Sequence, residues 1–410
     1  MLQESNIIVT GLGVVSAIGT TKSAFIDALL GGHHNFGFLE RPHRQRANER
    51  YATRFIGAEI PELEVPKTIS NNILKSCSLS TKAALACLNE AWQDAELVLV
   101  DPERVGLIVG GSNIQQRELI QTIEKYQNRC QFIPPSYAIK FMDSDVCGVC
   151  TEVFGIQGLA HTVGGASASG QLAIIQAIQA IRCNQVDVCI ALGCMQDISY
   201  LECQAFRAIG AMGSDKYSTA PDLSCRPFDR DHDGFIFGES CGAVVLERED
   251  FRTQSVPRNY ATVNGWGIAI DANRNPNSSM EGEVRAIKRA MFCSNLRPRD
   301  IDYINPHGTG SAVGDEIELN ALREIGLNNA YINTTKSVIG HGLSSAGTAE
   351  VIATLLQMQQ SQLHPCLNLK NPLYEDFNWV HSKADAVINQ ALCLSYGFGG
   401  INTALCFQRS

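Results

Sequence analysis

A serine among glycine and alanine residues is the first side chain in this sequence that is placed to do chemistry. Ser167 lies in Val163-Gly-Gly-Ala-Ser-Ala-Ser-Gly-Gln-Leu-Ala-Ile174, and an apolar run continues to Ile181. The pattern predicts a strand, a sharp elbow and a buried helix that begins near Ser169. The N-terminus of a helix favours developing negative charge, as acyl chemistry requires. Such small residues also occur wherever a helix packs closely on a sheet, so the segment alone leaves both interpretations open.

Two histidines in glycine-framed loops are the second chemical feature. His307 follows a predicted strand and lies in Asn305-Pro-His-Gly-Thr-Gly-Ser311, and His341 lies in Lys336-Ser-Val-Ile-Gly-His-Gly342. In loops at strand ends the backbone approaches ligands closely and side chains face a cleft. With the serine elbow upstream, the two histidines favour catalysis over a purely structural role.

Charged residues and a glycine-rich turn complete the candidate site. Asp315, Glu318, Lys336 and Glu350 are expected to fix the loops or orient the imidazoles, because charges near a buried site must be paired. The segment Ser395 to Asn402 holds two aromatic rings among glycines. It is compatible with a tight β-turn that has no other role. It is also compatible with a turn that provides a backbone N–H group and a mobile aromatic ring beside a pocket.

The elements that must position these residues alternate between strand and helix, which indicates an α/β protein. The predicted elements are strands at Ile7 to Ser16, Arg104 to Gly111, Val186 to Gly193, Gly242 to Glu247, Tyr260 to Ile268 and Ile301 to Asn305, and helices at Ser80 to Leu97, capped by Ser80 or Thr81, and Glu281 to Asn295. Two similar units are expected, 1–250 with the serine elbow and 251–410 with the histidine loops, linked by the polar segment Arg248 to Pro257.

Composition excludes several classes of function. The chain has 410 residues, 45% of them hydrophobic, and a net charge of −9 that argues against general nucleic-acid binding. No apolar run of about 18 residues and no export signal is present, so a cytoplasmic protein that does not span a membrane is expected. The fifteen cysteines, Cys147-Gly-Val-Cys150 included, are expected to be buried thiols rather than metal ligands or redox pairs. A dinucleotide site is not expected, because no full GxGxxG pattern is present.

A local basic segment stands out on this acidic chain. Its five arginines are Arg41, Arg44, Arg46, Arg50 and Arg54. Such a patch is able to dock an acidic partner by electrostatic steering. A solvated surface loop is the alternative interpretation.

Five motifs, in order, resemble those of the β-ketoacyl synthase family of the thiolase fold, over nearly the whole chain. They are Val9-Thr-Gly-Leu-Gly13, Arg226-Pro-Phe-Asp229, His307-Gly-Thr-Gly310, Lys336-Ser-x-x-Gly-His341 and Gly397-Phe-Gly-Gly400. The resemblance implies a five-layer α/β/α/β/α fold of two related halves, and a homodimer. It also implies that two histidines bind the thioester carbonyl of malonyl-acyl carrier protein as CO2 leaves, while an elbow cysteine carries the growing acyl chain.

One departure from the family changes the expected reaction. Where the family has Ala-Cys-x-Ser-Gly, this chain has Ala166-Ser-Ala-Ser-Gly170. A thiol has a pKa of about 8.5, which a helix N-terminus lowers, whereas a serine hydroxyl needs a dedicated base. Condensation should therefore be strongly impaired. Decarboxylation should not be, because it needs only N–H donors at the enolate oxygen. The pattern resembles malonyl-acyl carrier protein decarboxylases of polyketide β-branching cassettes, whose acetyl product feeds an HMG-CoA-synthase-like enzyme.

The resemblance assigns roles to particular residues. His307 and His341 would stabilise the enolate, Lys336 and Glu350 would organise the second histidine loop, and Ser167 and Phe398 would line the pocket and offer backbone N–H groups. Arg207 and Arg44 are weaker candidates for docking the acidic carrier protein. No cofactor or metal is expected beyond the phosphopantetheine on the carrier.

Several positions next to the motifs also depart from the family pattern and are expected to reshape the pocket walls: Gly164-Gly165, Asn305-Pro306, Ser311 and Leu394-Ser-Tyr396. Two other functions remain open from the sequence. One is a condensing ketosynthase with Ser167 as a slow nucleophile, and the other is a non-catalytic partner subunit resembling a chain-length factor.

Overall fold

The computed structural model describes residues 6–46, 54–66, 69–251, 259–274 and 276–410. In these ranges the strands are β1 (Ile7–Ser16), β2 (Gly37–Phe38), β3 (Ile56–Ala58), β4 (Val105–Gly110), β5 (Ala160–Val163), β6 (Val188–Gly193), β7 (Phe237–Gly238), β8 (Ser240–Arg248), β9 (Ala261–Ile270), β10 (Tyr303–Asn305), β11 (Tyr331–Ile332), β12 (Gln362–Leu363), β13 (Asn378–Trp379), β14 (Ala384–Asp385), β15 (Gln390–Gly397) and β16 (Ile401–Gln408). The helices are α1 (Lys22–Leu30), α2 (Asn71–Ser76), α3 (Leu79–Asp94), α4 (Gln116–Tyr126), α5 (Tyr137–Lys140), α6 (Ser144–Phe154), α7 (Ser169–Arg182), α8 (Tyr200–Ala208), α9 (Met280–Cys293), α10 (Gly314–Ile325), α11 (Lys336–Ile339) and α12 (Ala346–Gln360).

The two halves of the chain build their parts of the main sheet in the same way. In the order β1-β8-β6-β4-β5, two antiparallel pairings are followed by two parallel ones. The order β9-β16-β15-β10-β11 has the same sequence of pairings, and β13 extends it in parallel. Residues Ile7–Val9 of β1 pair with Ala261–Val263 of β9 and join the two parts.

Helices lie on both sides of each part of the sheet. Helix α7 packs against β4, β6 and β16, and α12 packs against β8 and β15, so these two helices lie between the two parts. Helix α3 covers the outer face of β1 and β8, while α9 covers β9 and β16. These layers are the α/β/α/β/α arrangement that the sequence predicts.

The central helices are apolar on nearly every face because they are covered on all sides. Every residue of α12 from Ala346 to Met358 is buried. One cluster of buried aliphatic side chains joins α7 and α12 to the strands, and a separate cluster lies under the outer helices of each half. Within the described ranges, no helix is both long enough and apolar enough to cross a lipid bilayer.

Several predicted boundaries shift by a few residues. Helix α3 begins one residue before the prediction, because Ser78 caps it by accepting a hydrogen bond from Thr81 N. It ends at Asp94, and Glu96 then adopts a left-handed conformation (φ 52°) that separates it from the 3-10 turn at Leu97–Leu99. The predicted boundary between the halves falls between β8 and β9, and residues 252–258 of the predicted link lie outside the described residues.

Candidate active site

Ser167 lies on the predicted elbow between a strand and a buried helix. Strand β5 ends at Val163, a 3-10 turn covers Ala166–Ala168, and α7 follows directly. Ala166 has a φ of 48°, which is uncommon for a residue with a side chain. Ser169 holds this conformation, because its Oγ donates to Ala166 O (2.7 Å) and accepts from Gly165 N (2.8 Å).

The glycine-rich C-terminal turn packs directly on this elbow. A Cβ at Gly397 would lie 2.2 Å from Gly165 O, so only glycine allows this approach. Ser395 Oγ donates to Ser167 O (3.1 Å). The final hairpin of the chain therefore fixes the backbone of the serine.

The first of the two imidazoles contacts the serine directly. His341 Nε2 lies 3.0 Å from Ser167 Oγ. On the other side of the ring, Leu343 N–H donates to Nδ1 (3.3 Å). Because Nδ1 accepts a hydrogen bond, a neutral ring carries its proton on Nε2. His341 therefore donates to Ser167 Oγ and does not accept the serine proton.

The second imidazole is held in the same tautomer by a different group. Lys336 Nζ lies 3.4 Å from His307 Nδ1 and donates to His307 O (2.5 Å). An ammonium group only donates, so Nδ1 is again the acceptor and the ring proton lies on Nε2. The rings of His307 and His341 are 5.5 Å apart and nearly perpendicular, at 85°.

Both imidazoles are neutral at physiological pH. Burial lowers their pKa values well below the ordinary value of about 6.5, and the positive charge of Lys336 adds to this shift. For His307, the neighbouring His341 lowers the pKa further. The site thus presents two uncharged imidazoles, each with an Nε2–H donor.

Lys336 is itself neutralised by a buried carboxylate. It begins α11 and bonds to Glu350 of α12, and both side chains are only 1% exposed. Burial raises the pKa of Glu350 to about 7, against the opposing effect of Lys336. This pair links the loop before His341 to the central helix, as the sequence predicts.

The loop of His307 is held by two carboxylates of α10. Glu318 accepts hydrogen bonds from His307 N (2.7 Å) and Gly308 N (2.8 Å). Asp315 accepts from Thr309 N (3.1 Å) and Gly310 N (3.0 Å). Both residues therefore fix the loop, as the sequence predicts.

The serine, the two imidazoles and the two carboxylates of α10 line one cavity of about 330 Å³. Ser167, His307, His341 and Phe398 all face it, and Phe398 is 39% exposed at its edge. The Phe398 ring lies 6.3 Å from the ring of Phe206 on α8. The structure thus brings the predicted serine, both histidines and the ring of Phe398 together.

Arg44 does not belong to a surface patch, so its predicted role in docking is wrong. The side chain is fully buried, and its guanidinium bonds to Glu59 (2.7 Å), Asp197 (2.8 Å) and Glu239 (2.5 Å). Arg41 also pairs with Glu239 (3.0 Å). The carboxylates that neutralise these arginines are distant in sequence, which is why the basic segment looked unpaired.

The other predicted docking arginines have different surroundings. Arg207 lies on α8, and Phe206 of this helix and Ile209 just after it line the cavity. Arg207 pairs with Asp215 (3.0 Å) and keeps 15% of its side chain exposed. Arg54 stacks on Phe38, with 3.4 Å from its guanidinium carbon to the ring centre. Arg50 lies outside the described residues.

The cysteines form no disulfide and are free thiols. Cys147 and Cys150 lie buried on α6 in the core cluster of the first half. Within the described residues, no group of three or more histidine, cysteine or acidic side chains could hold a metal ion. The CxxC pair therefore packs as two buried thiols.

Of two aromatic residues in the pocket wall, sequence reasoning marked Tyr396 and missed Phe235. The ring of Phe235 lies edge-on to His341 at 5.3 Å, and the ring of Tyr396 lies edge-on to His307 at 5.5 Å. Tyr396 was marked as one of two rings in the glycine-rich turn and, within Leu394-Ser-Tyr396, as a departure expected to reshape the pocket walls, whereas nothing local marked Phe235. Both are brought to the site by packing of the two halves.

Comparison with known proteins agrees with this geometry. The N-terminal domain model of β-ketoacyl synthases matches residues 4–251, and the C-terminal domain model matches residues 260–370. The chain is 54% identical over 403 residues to the polyketide biosynthesis malonyl-ACP decarboxylase PksF of Bacillus subtilis (strain 168), covering 98% of this chain and 96% of that one. It is 29% identical to 3-oxoacyl-(acyl-carrier-protein) synthase 1 of Buchnera aphidicola, covering 98% and 99% of the two chains.

Solved structures show the same fold. A β-ketoacyl synthase from Burkholderia phymatum STM815 superimposes with a TM-score of 0.89 at 24% identity, over 99% of this chain and all of that one. The ishigamide ketosynthase/chain length factor gives 0.87 at 23% identity, with the same coverage. The fold is therefore thiolase-like, and the chain belongs to the β-ketoacyl synthase family.

Proposed function

We propose that this protein decarboxylates malonyl-acyl carrier protein to acetyl-acyl carrier protein for polyketide β-branching. The thioester carbonyl oxygen lies between the Nε2–H groups of His307 and His341. Loss of CO2 leaves an enolate, and these two donors stabilise the charge that develops on its oxygen. The carbanion carbon then takes up one proton, so malonyl thioester and a proton give acetyl thioester and CO2.

The observation that carries this proposal is the direction of the hydrogen bonds at the two imidazoles. Both Nδ1 atoms accept, from Lys336 and from Leu343 N–H, so both Nε2 atoms donate into the cavity. One such donor contributes about 3 to 4 kcal/mol to stabilising an oxyanion. The neutral state that burial imposes keeps this pattern across the physiological pH range.

The same geometry disfavours Ser167 as a nucleophile. A serine is activated when a neighbouring imidazole accepts its proton. Here Nε2 of His341 already carries a proton and donates to Ser167 Oγ. Ser167 therefore lines the pocket and accepts a hydrogen bond, and the acyl group stays on the carrier protein.

The 54% identity to PksF over nearly the full length of both chains supports the same reaction. The chemistry is supplied by the imidazoles, with no cofactor beyond the phosphopantetheine of the carrier. An HMG-CoA-synthase-like enzyme would consume the acetyl product. The fifteen free thiols fit a reducing compartment, and we place the reaction in the cytoplasm.

We also propose a homodimer, assembled through β5. This strand lies at the end of the sheet order and, among the strands that the structure describes, pairs with β4 alone. A group of exposed apolar side chains, of a kind that marks protein interfaces, lies on α4 and on the segment between α4 and α6, the helix that packs on β5. Its members are Ile123, Phe132, Ile139, Phe141 and Met142.

Intact-mass spectrometry of malonyl-carrier protein incubated with the purified protein tests the function. We expect loss of CO2 from the carrier-bound acyl group, with the mass of the enzyme unchanged. An acylated enzyme together with a longer ketoacyl product would instead establish a condensing ketosynthase. An unchanged carrier, with activity restored by a second ketosynthase chain, would establish a partner subunit. His307→Ala serves as the inactive control.

A further inference from the structure

The cavity has no cationic side chain to meet the carboxylate that a malonyl group carries. Among the described residues that line the cavity, none is a lysine or an arginine. Both imidazoles are neutral, because burial and the charge of Lys336 lower their pKa values. A carboxylate that leaves water needs hydrogen-bond donors. Neutral polar side chains must therefore supply them.

The acidic residues of the wall show which part of the cavity suits an anion. Asp271, Asp315 and Glu318 line the cavity, and all three belong to the second half of the chain. They bond to Asn402 of the C-terminal turn or to the His307 loop. Among the described lining residues of the first half, none is acidic. Because like charges repel, the substrate carboxylate is directed toward the part of the wall that the first half supplies.

Two polar side chains of the first half are free to bind it. Ser112 and Gln196 line the cavity and are half-buried. Neither side chain has a hydrogen-bond partner among the described residues. By contrast, the hydroxyls of Ser169 and Ser344, which also line the cavity, donate to backbone carbonyl groups. Ser112 and Gln196 therefore keep their donors for a bound molecule.

The main sheet brings these two side chains to the same edge. Strands β4 and β6 pair in parallel, and their last residues, Gly110 and Gly193, are partners in the register. Cys194 N also donates to Gly110 O (3.0 Å). The chain leaves parallel strands at one common edge of a sheet. Ser112 and Gln196 follow these two ends directly, so they lie next to each other.

Ser112 lies against the elbow that carries Ser167. A Cβ at Gly164 would lie 3.3 Å from Ser112 Oγ, so the two residues are in close contact. Gly164 is one of the positions at which the sequence departs from the family pattern. Its missing side chain leaves room for the Ser112 hydroxyl at the elbow.

Gln196 lies on a rigid support beside the second histidine loop. Ser344, three residues after that histidine, donates through Oγ to Cys194 O (2.8 Å). On the other side of Gln196, the Asp197 carboxylate binds Arg117 at two points (2.7 and 2.9 Å). The backbone is therefore fixed on both sides of Gln196, which reduces the entropy lost when its amide binds a ligand.

We propose that Gln196 and Ser112 form a subsite for the free carboxylate of the malonyl group. This proposal rests on the decarboxylase function. The Gln196 amide and the Ser112 hydroxyl donate to the carboxylate, while the Nε2–H groups of both histidines hold the thioester oxygen. Contacts at both ends of the malonyl group fix the C–C bond that breaks.

Neutral donors suit the reaction better than a cation would. The carboxylate loses its negative charge as CO2 forms, and the charge moves to the thioester oxygen. A cation at the carboxylate would stabilise the ground state more than the transition state and would raise the barrier. An amide and a hydroxyl bind the carboxylate with a smaller effect of this kind.

Calorimetry with two pantetheine amides tests the subsite without turnover. One carries a malonyl group and the other an acetyl group, and nitrogen replaces the thioester sulfur because an amide resists decarboxylation. The two compounds differ only in the carboxylate, so the ratio of their dissociation constants measures its binding. We expect Gln196→Leu to weaken the malonyl amide about 10- to 100-fold, as is typical of losing a hydrogen bond to a charged group, and to leave the acetyl amide unchanged.

Asn277→Leu is the matched control, because Asn277 is an amide that lines the cavity from the second half. It should change both dissociation constants equally and keep their ratio. Ser112→Ala should lower the preference for the malonyl amide in the same direction as Gln196→Leu. If a folded Gln196→Leu variant weakened both amides equally, the proposal would be overturned, since Gln196 would only shape the cavity.

Gln196→Lys separates binding from turnover. It should bind the malonyl amide at least tenfold more tightly and release CO2 from malonyl-carrier protein with a kcat at least tenfold lower. Tighter binding with an increased kcat would contradict the role of neutral donors. An unsubstituted protein that prefers the malonyl amide but releases no CO2 would retain the subsite and lose the decarboxylase function. Release of CO2 with equal binding of the two amides would have the opposite meaning.

Discussion

At the scale of single residues, the direction of the hydrogen bond between His341 and Ser167 decides what the serine can do. Leu343 N–H occupies Nδ1, so the imidazole donates to the serine oxygen. Condensation through Ser167 would need the opposite direction, because the imidazole would have to accept the hydroxyl proton to activate the serine as a nucleophile. The substrate carbonyl oxygen can take the place of Ser167 Oγ as the acceptor of the same N–H.

Ser167→Ala should keep decarboxylation within about tenfold of the original kcat, because no covalent step passes through the hydroxyl. His307→Ala and His341→Ala should each lower kcat by about 100- to 1000-fold, the cost of removing one oxyanion donor. Release of CO2 from malonyl-carrier protein measures all three. A Ser167→Ala variant as inactive as the histidine variants would contradict the non-covalent mechanism.

At the scale of secondary-structure elements, the Lys336–Glu350 pair joins the short helix α11 to the buried helix α12. Both side chains are almost completely buried, so neither charge is tolerated alone. The pair also places an ammonium beside His307 Nδ1. One contact therefore serves both the packing of two helices and the tautomer of an imidazole.

Lys336→Met should lower the free energy of unfolding by about 3 to 5 kcal/mol, because it leaves Glu350 buried without a partner. The double variant Lys336→Met, Glu350→Leu should recover most of that stability but not the activity, since His307 Nδ1 loses its donor. Urea unfolding and CO2 release measure the two effects. Recovery of activity in the double variant would show that Lys336 is needed only for packing.

A second buried ion pair, made by Arg44 of the arginine segment, also joins distant parts of the chain. Arg44 bonds to Asp197 and Glu239, so it joins the start of the chain to the segments before α8 and β8. Burial lowers the pKa of Arg44, but the charges of Glu239, Asp197 and Glu59 outweigh it, so the pKa is raised and Arg44 stays charged. Its contribution is to stability.

Arg44→Met should destabilise the fold by about 3 to 5 kcal/mol and leave the KM for malonyl-carrier protein unchanged. Arg207→Glu should raise that KM, more strongly at low salt, with kcat unchanged. Thermal unfolding and steady-state kinetics at two ionic strengths separate the two cases. An increase in KM for a folded Arg44→Met variant would restore Arg44 as a docking residue.

The sequence was sufficient for elements whose pattern is local. The elbow at Ser167, the start of α7 and both histidine loops were predicted, because glycine spacing and apolar runs determine them. The burial of Arg44 and the position of Gln196 beside Ser112 were not, because the neighbours of each come from distant parts of the chain. Tyr396 was marked as a ring in a turn and as part of the pocket wall, but only the fold brings it near Glu283 and Glu318.

At the scale of the whole molecule, the candidate site lies where the two halves meet. The first half supplies Ser167, and the second supplies both histidines and Phe398. The halves share one strand pattern and are joined in the sheet by β1 and β9. Because the two halves are joined in this way, residues from both of them line a single cavity.

The proposed dimer can be tested at the edge of the same sheet. Leu107 N and Gly111 N donate to Leu159 O and Val163 O, so by strand alternation the backbone groups of Thr162 point away from β4. Thr162→Pro should therefore remove an outward N–H and give a monomer with an unchanged circular dichroism spectrum. Sedimentation velocity measures the assembly, with the exposed Phe292→Asp as a control that should stay dimeric.

The absence of sulfur from the cavity wall has a pharmacological consequence. In the described residues, none of the groups that line the cavity is a cysteine, whereas Cys130, Cys183 and Cys293 are exposed on the surface. Electrophilic inhibitors that alkylate the catalytic thiol of condensing enzymes should label only these surface positions and leave turnover intact. A cell treated with such a compound would stop extending chains while this enzyme continued to convert malonyl units into acetyl units, draining the extender supply.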